Sequence, residues 1–193
     1  KVALGTAAFW LISVAFLVNG LGQSGIVQNQ VPHLEDIGFP VTIAVTALGV
    51  VGLGSTIGKF VFGWLCDRIP VKYACAIGLT FQATGVIIFM SVGSTSSTAM
   101  VLLYAIFMGL GVGSWLPTLS MLVSTTFGLA SYGAIFGLGS SLLYGASAVG
   151  PLLAAYIYDT TNTYHWAFLI FLVAYVISIL IVLAVRRPEF GSR

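Results

Sequence analysis

The sequence predicts an all-α integral membrane protein of six transmembrane helices. Three observations carry that expectation. Lys and Arg number 7 and Asp and Glu 5, so 12 of 193 residues are charged. That is 6%, where a soluble domain carries roughly 25%. Hydrophobic residues make up 59% and the mean hydropathy is +1.07. From residue 73 to residue 158 there is no charged side chain and no histidine. A surface drawn from this composition cannot be solvated, which excludes a soluble enzyme or nucleic-acid binder.

A helix needs roughly 20 residues to cross a hydrocarbon core of about 30 Å. The first candidate, Thr6–Val27, lacks a small-residue cleavage pattern before the next polar segment, so it reads as a span and not a secretory signal. The polar stretch Gln28–Pro40 reads as a loop. The second span, Val41–Leu65, is the first of two glycine-rich helices, with Gly49, Gly52, Gly54, Gly58 and Gly63. Cys66–Lys72 reads as the turn after it, with Cys66 and Cys75 flanking it as reduced thiols rather than a disulfide. Tyr73–Gly93 follows, carrying Gly78, Gln82 and Gly85, then the break Ser94–Thr98. Ala99–Val123 holds Gly109, Gly111 and Gly113 and is followed by Ser124–Ser131. Tyr132–Ile157 is the second glycine-rich span, with Gly133, Gly137, Gly139, Gly145 and Gly150, and Tyr158–Tyr164 leads out of it. His165–Val185 has no glycine and is almost wholly Ile, Leu, Val, Phe and Ala. A barrel would instead show alternating runs of about ten residues.

Small residues let helices approach closely in lipid. The first, second, fourth and fifth helices are therefore expected inside, the sixth against lipid and the third between. Six spans put both termini on one side of the membrane. That side holds Lys1, Arg68, Lys72, Arg186, Arg187 and Arg193, whereas the other holds Glu35, Asp36 and Asp159 with no Lys or Arg. The positive-inside rule makes both termini cytoplasmic. Trp64 and Tyr73 sit near the inner boundary, and Tyr164 and Trp166 near the outer one, as interfacial aromatics do. Residues 1–188 form one bundle. Residues 189–193 read as an appended tail, and Lys1, which is not Met, is not expected to be the natural start.

Lys59 is the charge that falls inside a span. It stands eight residues before Asp67, about 12 Å along a helix. A charge at that depth is costly unless paired, hydrated or snorkelling. Its own face carries Gly52, Ser55, Thr56 and Gly63, which points the ammonium inward as a site for an anion. Snorkelling to the interface and pairing with a carboxylate in a larger assembly are the alternatives. Asn19 and Gln23, one turn apart on the first helix, are further polar residues at membrane depth, as are Ser140, Ser141, Tyr144 and Ser147 on the fifth. They suit either a ligand or helix-to-helix hydrogen bonds.

Gly63-Trp64-Leu65-Cys66-Asp67-Arg68-Ile69-Pro70-Val71-Lys72 resembles the G-x-L-x-D-R-x-x-x-K/R signature of the major facilitator superfamily, carried between the second and third helices of each six-helix half. Ile69-Pro70 displaces the usual glycine after the Arg. Gly109-Leu110-Gly111-Val112-Gly113, Phe127-Gly128, Ile135-Phe136-Gly137, Gly150-Pro151 and Tyr158-Asp159 are similar to the monocarboxylate-transporter and oxalate/formate-antiporter branch. The resemblance covers residues 6–187 and implies the C-terminal half of a twelve-helix transporter. It places the branch's substrate-binding cation at Lys59, with Ser55 where animal monocarboxylate transporters carry Asp. It also gives Gly63, Asp67, Arg68 and Lys72 to a cytoplasmic gate.

The function so implied is secondary transport of a lactate- or pyruvate-like anion by alternating access. Lys59, Ser55, Asn19, Gln23 and Tyr144 are the candidate substrate residues. One cation suggests one negative charge on the cargo. The partners implied are the bilayer, a small organic anion, protons and an N-terminal six-helix half, and the location is the plasma or inner membrane. No enzyme activity, cofactor, metal or nucleic acid is expected. Another cargo, such as nitrate or an exported organic compound, or a channel module or non-transporting subunit, is the rival. Gly109–Gly113 has no preceding strand and is no nucleotide loop, and His33 and His165 read as a loop and an interfacial residue.

Overall fold

The computed structural model describes residues 6–128 and 132–185. Within them run six helices: α1 (Ala7–Asp36), α2 (Val41–Arg68), α3 (Val71–Met90), α4 (Thr98–Phe127), α5 (Tyr132–Thr161) and α6 (His165–Ala184). All six are long and apolar enough to cross a membrane. Lys1, Arg186, Arg187, Arg193 and the tail 189–193 lie outside the described residues.

The helices are longer than the apolar runs that mark them. Gln28–Pro40, expected as a loop, is helical as far as Asp36, with Pro32 inside the helix. Two of its polar residues, Asn29 and Gln30, are buried and paired rather than solvated. Gln30 is fully buried, and its Oε1 accepts from the Tyr104 hydroxyl at 2.8 Å while Nε2 donates to the Val27 carbonyl. Asn29 Nδ2 donates to the Gly25 carbonyl at 2.8 Å and reaches Pro151 O of α5 at 3.5 Å. His33 is likewise no loop residue. Its ring is met edge-on by Phe89, Phe168 and Tyr164 at 4.9, 5.0 and 5.6 Å. The α1–α2 turn then needs Gly38, whose φ of +96° strains any side chain. Only Ile69 and Pro70 separate α2 from α3, and Ser124–Phe127 and Tyr158–Thr161 also remain helical.

The six helices form two interlocked units. α2 packs on α4 as α5 packs on α1, α3 packs on α4 as α6 packs on α1, and α3 lies against α6. Exchanging α1–α3 for α4–α6 leaves every one of these neighbours unchanged. Lengths repeat as well, 30, 28 and 20 residues against 30, 30 and 20. Three crossings per unit bring the second unit into the membrane from the opposite side, which makes an inverted repeat.

Burial corrects the expected sorting of helices. The most apolar stretch of α3 is 56% buried, whereas those of α2 and α5 are only 22% and 28% buried. α3 is thus the most buried helix over that stretch, and α2 and α5 turn most of their surface away from the bundle. Their glycines divide accordingly. Gly54 and Gly58 press on Gly109, Leu110 and Gly113 of α4, and Gly150 presses on Leu21, Ser24 and Gly25 of α1. Gly49, Gly52 and Gly63 on α2, and Gly133, Gly137, Gly139 and Gly145 on α5, meet nothing within 4 Å. α6 has two faces: Phe168, Phe171, Tyr175 and Ser178 are buried, while Ile170, Val173, Val176 and Leu180 are exposed. Cys66 and Cys75 are free, as expected.

The Gln30–Tyr104 pair fixes α1 to α4 beneath the stacked rings of Phe89 and Tyr104, 4.0 Å apart. Replacing Gln30 by Leu leaves the Tyr104 hydroxyl buried without its acceptor. The expected loss is about 1–3 kcal/mol of stability, read as a lowered unfolding temperature in detergent. Adding Tyr104→Phe should recover part of it.

Candidate functional site

The site is built on the open side of α2. A helix repeats every 3.6 residues, so Gly54, Gly58 and Phe62 fall on the side that meets α4. Gly52, Ser55, Thr56, Lys59 and Gly63 fall on another. Lys59 is exposed, and among the described residues its ammonium has no carboxylate partner. The stripe therefore does not point into this bundle, as expected from its glycines, but away from it. The reason is that α2 has two small-residue stripes, and the one without Lys59 is buried on α4.

Around Lys59 the surface is polar but locally satisfied. The hydroxyls of Ser55 and Thr56 both donate to the Gly52 carbonyl, at 3.0 and 3.2 Å. Their lone pairs and the ammonium are what the face presents. Gly52 and Gly63 leave open space on either side, so a small molecule could approach the backbone here without meeting a side chain.

The other candidate residues separate. Tyr144 is 61% exposed on α5, and its ring meets Trp115 of α4 edge-on at 6.2 Å. Gln23 is half-buried on α1. Asn19 is only 2% exposed and sits inside the bundle, in a small cavity with Gln82, Ser114 and Thr118. It does not share the face of Lys59. Trp115 escaped the sequence reading. It lies between the Tyr144 face and the Asn19 cavity, and an indole at mid-span beside polar residues was the available signal, since its N–H needs a partner when buried.

The Gly63–Lys72 motif lies at the end of the same helix. Asp67 and Arg68 are exposed in the last turn of α2, and the Arg68 guanidinium stands 5.2 Å over the Trp64 ring. Lys72 stands 5.2 Å over the ring of Tyr73. These cations are thus steadied by aromatic faces at the boundary. A cleft of about 540 Å³ opens beside this turn, lined by Cys66, Pro70, Lys72, Thr126 and Val185 among others.

Six helices long and apolar enough to cross a membrane, packed as two alike three-helix units, define a membrane bundle of the kind found in transporter folds. The family model of the Major Facilitator Superfamily matches residues 12–193, and the chain belongs to that superfamily. It is 29% identical over 183 residues to the sialic acid transporter NanX of Escherichia coli (strain K12), covering 92% of this chain and 41% of that protein. With monocarboxylate transporter 13 of Rattus norvegicus it shares 27% identity over 140 residues, 72% of this chain and 32% of the relative. With the glycerol-3-phosphate transporter of Bacillus subtilis (strain 168) it shares 27% over 160 residues, 81% and 36% respectively. The chain thus spans well under half the length of these relatives.

Proposed function

We propose that this chain is the C-terminal six-helix half of a secondary transporter that moves a small monocarboxylate by alternating access. The observation that carries the reading is Lys59, a cation without a carboxylate among the described residues, on the open small-residue face of the least buried helix. The open faces of α2 and α5 then meet an N-terminal half, and the substrate lies between the halves near mid-depth. Ser55 and Gln23 offer hydrogen bonds, and Tyr144 with Trp115 supplies an aromatic wall. Asn19 supports that wall from behind rather than touching the cargo.

The relatives' names support an anionic cargo. Sialic acid, monocarboxylates and glycerol 3-phosphate differ in size but are all acids. A single ammonium suits a single negative charge. A phosphate monoester carries nearly two at neutral pH, and two cations would match it better. Asp67, Arg68 and Lys72 form the cytoplasmic gate, and both termini lie in the cytoplasm of a plasma or inner membrane. Any carboxylate that carries a proton with the substrate belongs to the other half.

The test is uptake and counterflow with the full-length protein in liposomes. Labelled lactate or pyruvate should enter saturably, exchange with unlabelled monocarboxylate and be indifferent to glycerol 3-phosphate. Competition by glycerol 3-phosphate alone would move the cargo to phosphate esters. Flux without saturation or exchange would make the protein a channel.

A further inference from the structure

We propose that one ordered water molecule is bound inside the bundle, donating its two hydrogens to Asn19 Oδ1 of α1 and Gln82 Oε1 of α3. Both oxygens are buried, and neither accepts a hydrogen bond among the described residues. Each unpaired acceptor at this depth costs about 1–3 kcal/mol. The two residues line the same small cavity, in which about 10 Å³ is open to the centre of a water molecule. That is room for about one water.

The walls specify what the occupant must be. Gln82 Nε2 donates to the Gly111 carbonyl at 3.2 Å, and Ser114 Oγ donates to the same oxygen at 2.7 Å. Thr118 Oγ1 donates to the Ser114 carbonyl at 2.8 Å. The two unpaired amide oxygens present lone pairs to the cavity. An occupant must therefore supply hydrogens or positive charge. A bare cation would sit at mid-depth with no Asp or Glu near it, because residues 7–34 and 73–158 contain none. Uncompensated charge there is far more costly than a neutral molecule. Water fits both the size and the polarity.

Such a water joins α1 to α3, while Gln82 joins α3 to α4 through the Gly111 carbonyl. The three most buried helices are then pinned together at one level. This role is separate from cargo binding on the Lys59 face.

Three measurements on the full-length protein test it. A density map fine enough to show ordered water should hold a peak about 2.7–3.2 Å from both amide oxygens. A direct Asn19–Gln82 amide pair with nothing between would overturn the proposal. In a double-mutant cycle, Asn19→Leu and Gln82→Met should each lower the unfolding temperature by a few degrees. The double variant should fall little below the worse single one, because either change alone already loses the shared water. Strictly additive losses would contradict it. Exchanging sodium for choline should leave the unfolding temperature of the unaltered protein unchanged. A sodium-dependent rise that disappears in Asn19→Leu would make the occupant a cation instead.

Discussion

Lys59→Ala in the full-length protein should weaken lactate or pyruvate transport by about 10- to 100-fold in apparent affinity. A charge-assisted hydrogen bond contributes about 1.5–3 kcal/mol, and about 1.4 kcal/mol is a factor of ten. The loss should appear in KM first, because the ammonium attracts the ground-state carboxylate in both orientations of the carrier. Lys59→Arg keeps the charge and adds a planar fork, so it should retain saturable uptake with a shifted KM. Stability is a useful control. Lys59 is exposed, and Gly52 and Gly63 on its face meet nothing within 4 Å, so the Ala variant should unfold at the temperature of the unaltered protein. Unchanged KM together with unchanged stability would mean that the ammonium merely snorkels to the interface. It would leave the anion site without its cation.

The spans and the family were legible because both rest on local chemistry. Twenty apolar residues in a row have few alternatives, and the Gly63–Lys72 motif occupies ten consecutive positions. What escaped depends on neighbours. Asn29, Gln30 and His33 read as a solvated loop because polarity alone does not reveal a partner 74 residues away, which is what Tyr104 is to Gln30. Asn19 and Gln23 share a helix face one turn apart, yet one is enclosed and the other half-open, since Gln82 and Ser114 cover only the first. The glycine content of α2 and α5 showed close packing without showing against what. Gly54, Gly58 and Gly150 are spent inside this bundle, whereas Gly49, Gly52, Gly133, Gly137 and Gly145 are exposed and mark a surface and not a core. The inverted repeat is likewise invisible to a reading by motif, because it lies in which helix touches which.

The largest stability effect should come from Gly113→Val on α4. A Cβ at Gly113 would run into the Ser55 carbonyl and stand 2.8 Å from Gly58 Cα, both of them backbone of α2. The facing positions are equally close, with a Cβ at Gly58 only 2.5 Å from the Leu110 carbonyl and one at Gly109 2.7 Å from the Val51 carbonyl. Backbone cannot swing aside as the end of a side chain can, so α2 and α4 must separate along their length. Overpacking costs about 1–3 kcal/mol where side chains can yield, and this site belongs at or beyond the upper end. The consequence is specific, because α4 is the main support of α2 and α2 carries Lys59. Gly113→Val should therefore reduce the yield of folded protein and lower its unfolding temperature, with transport lost as a result. Gly49→Ala makes the comparison, since nothing in this bundle lies within 4 Å of the added methyl. It should leave the bundle's stability intact, so any transport defect it causes must arise at a surface beyond these six helices. Wild-type stability in Gly113→Val would mean that α2 and α4 do not meet through their glycines, and the support of the Lys59 face would have to be sought elsewhere.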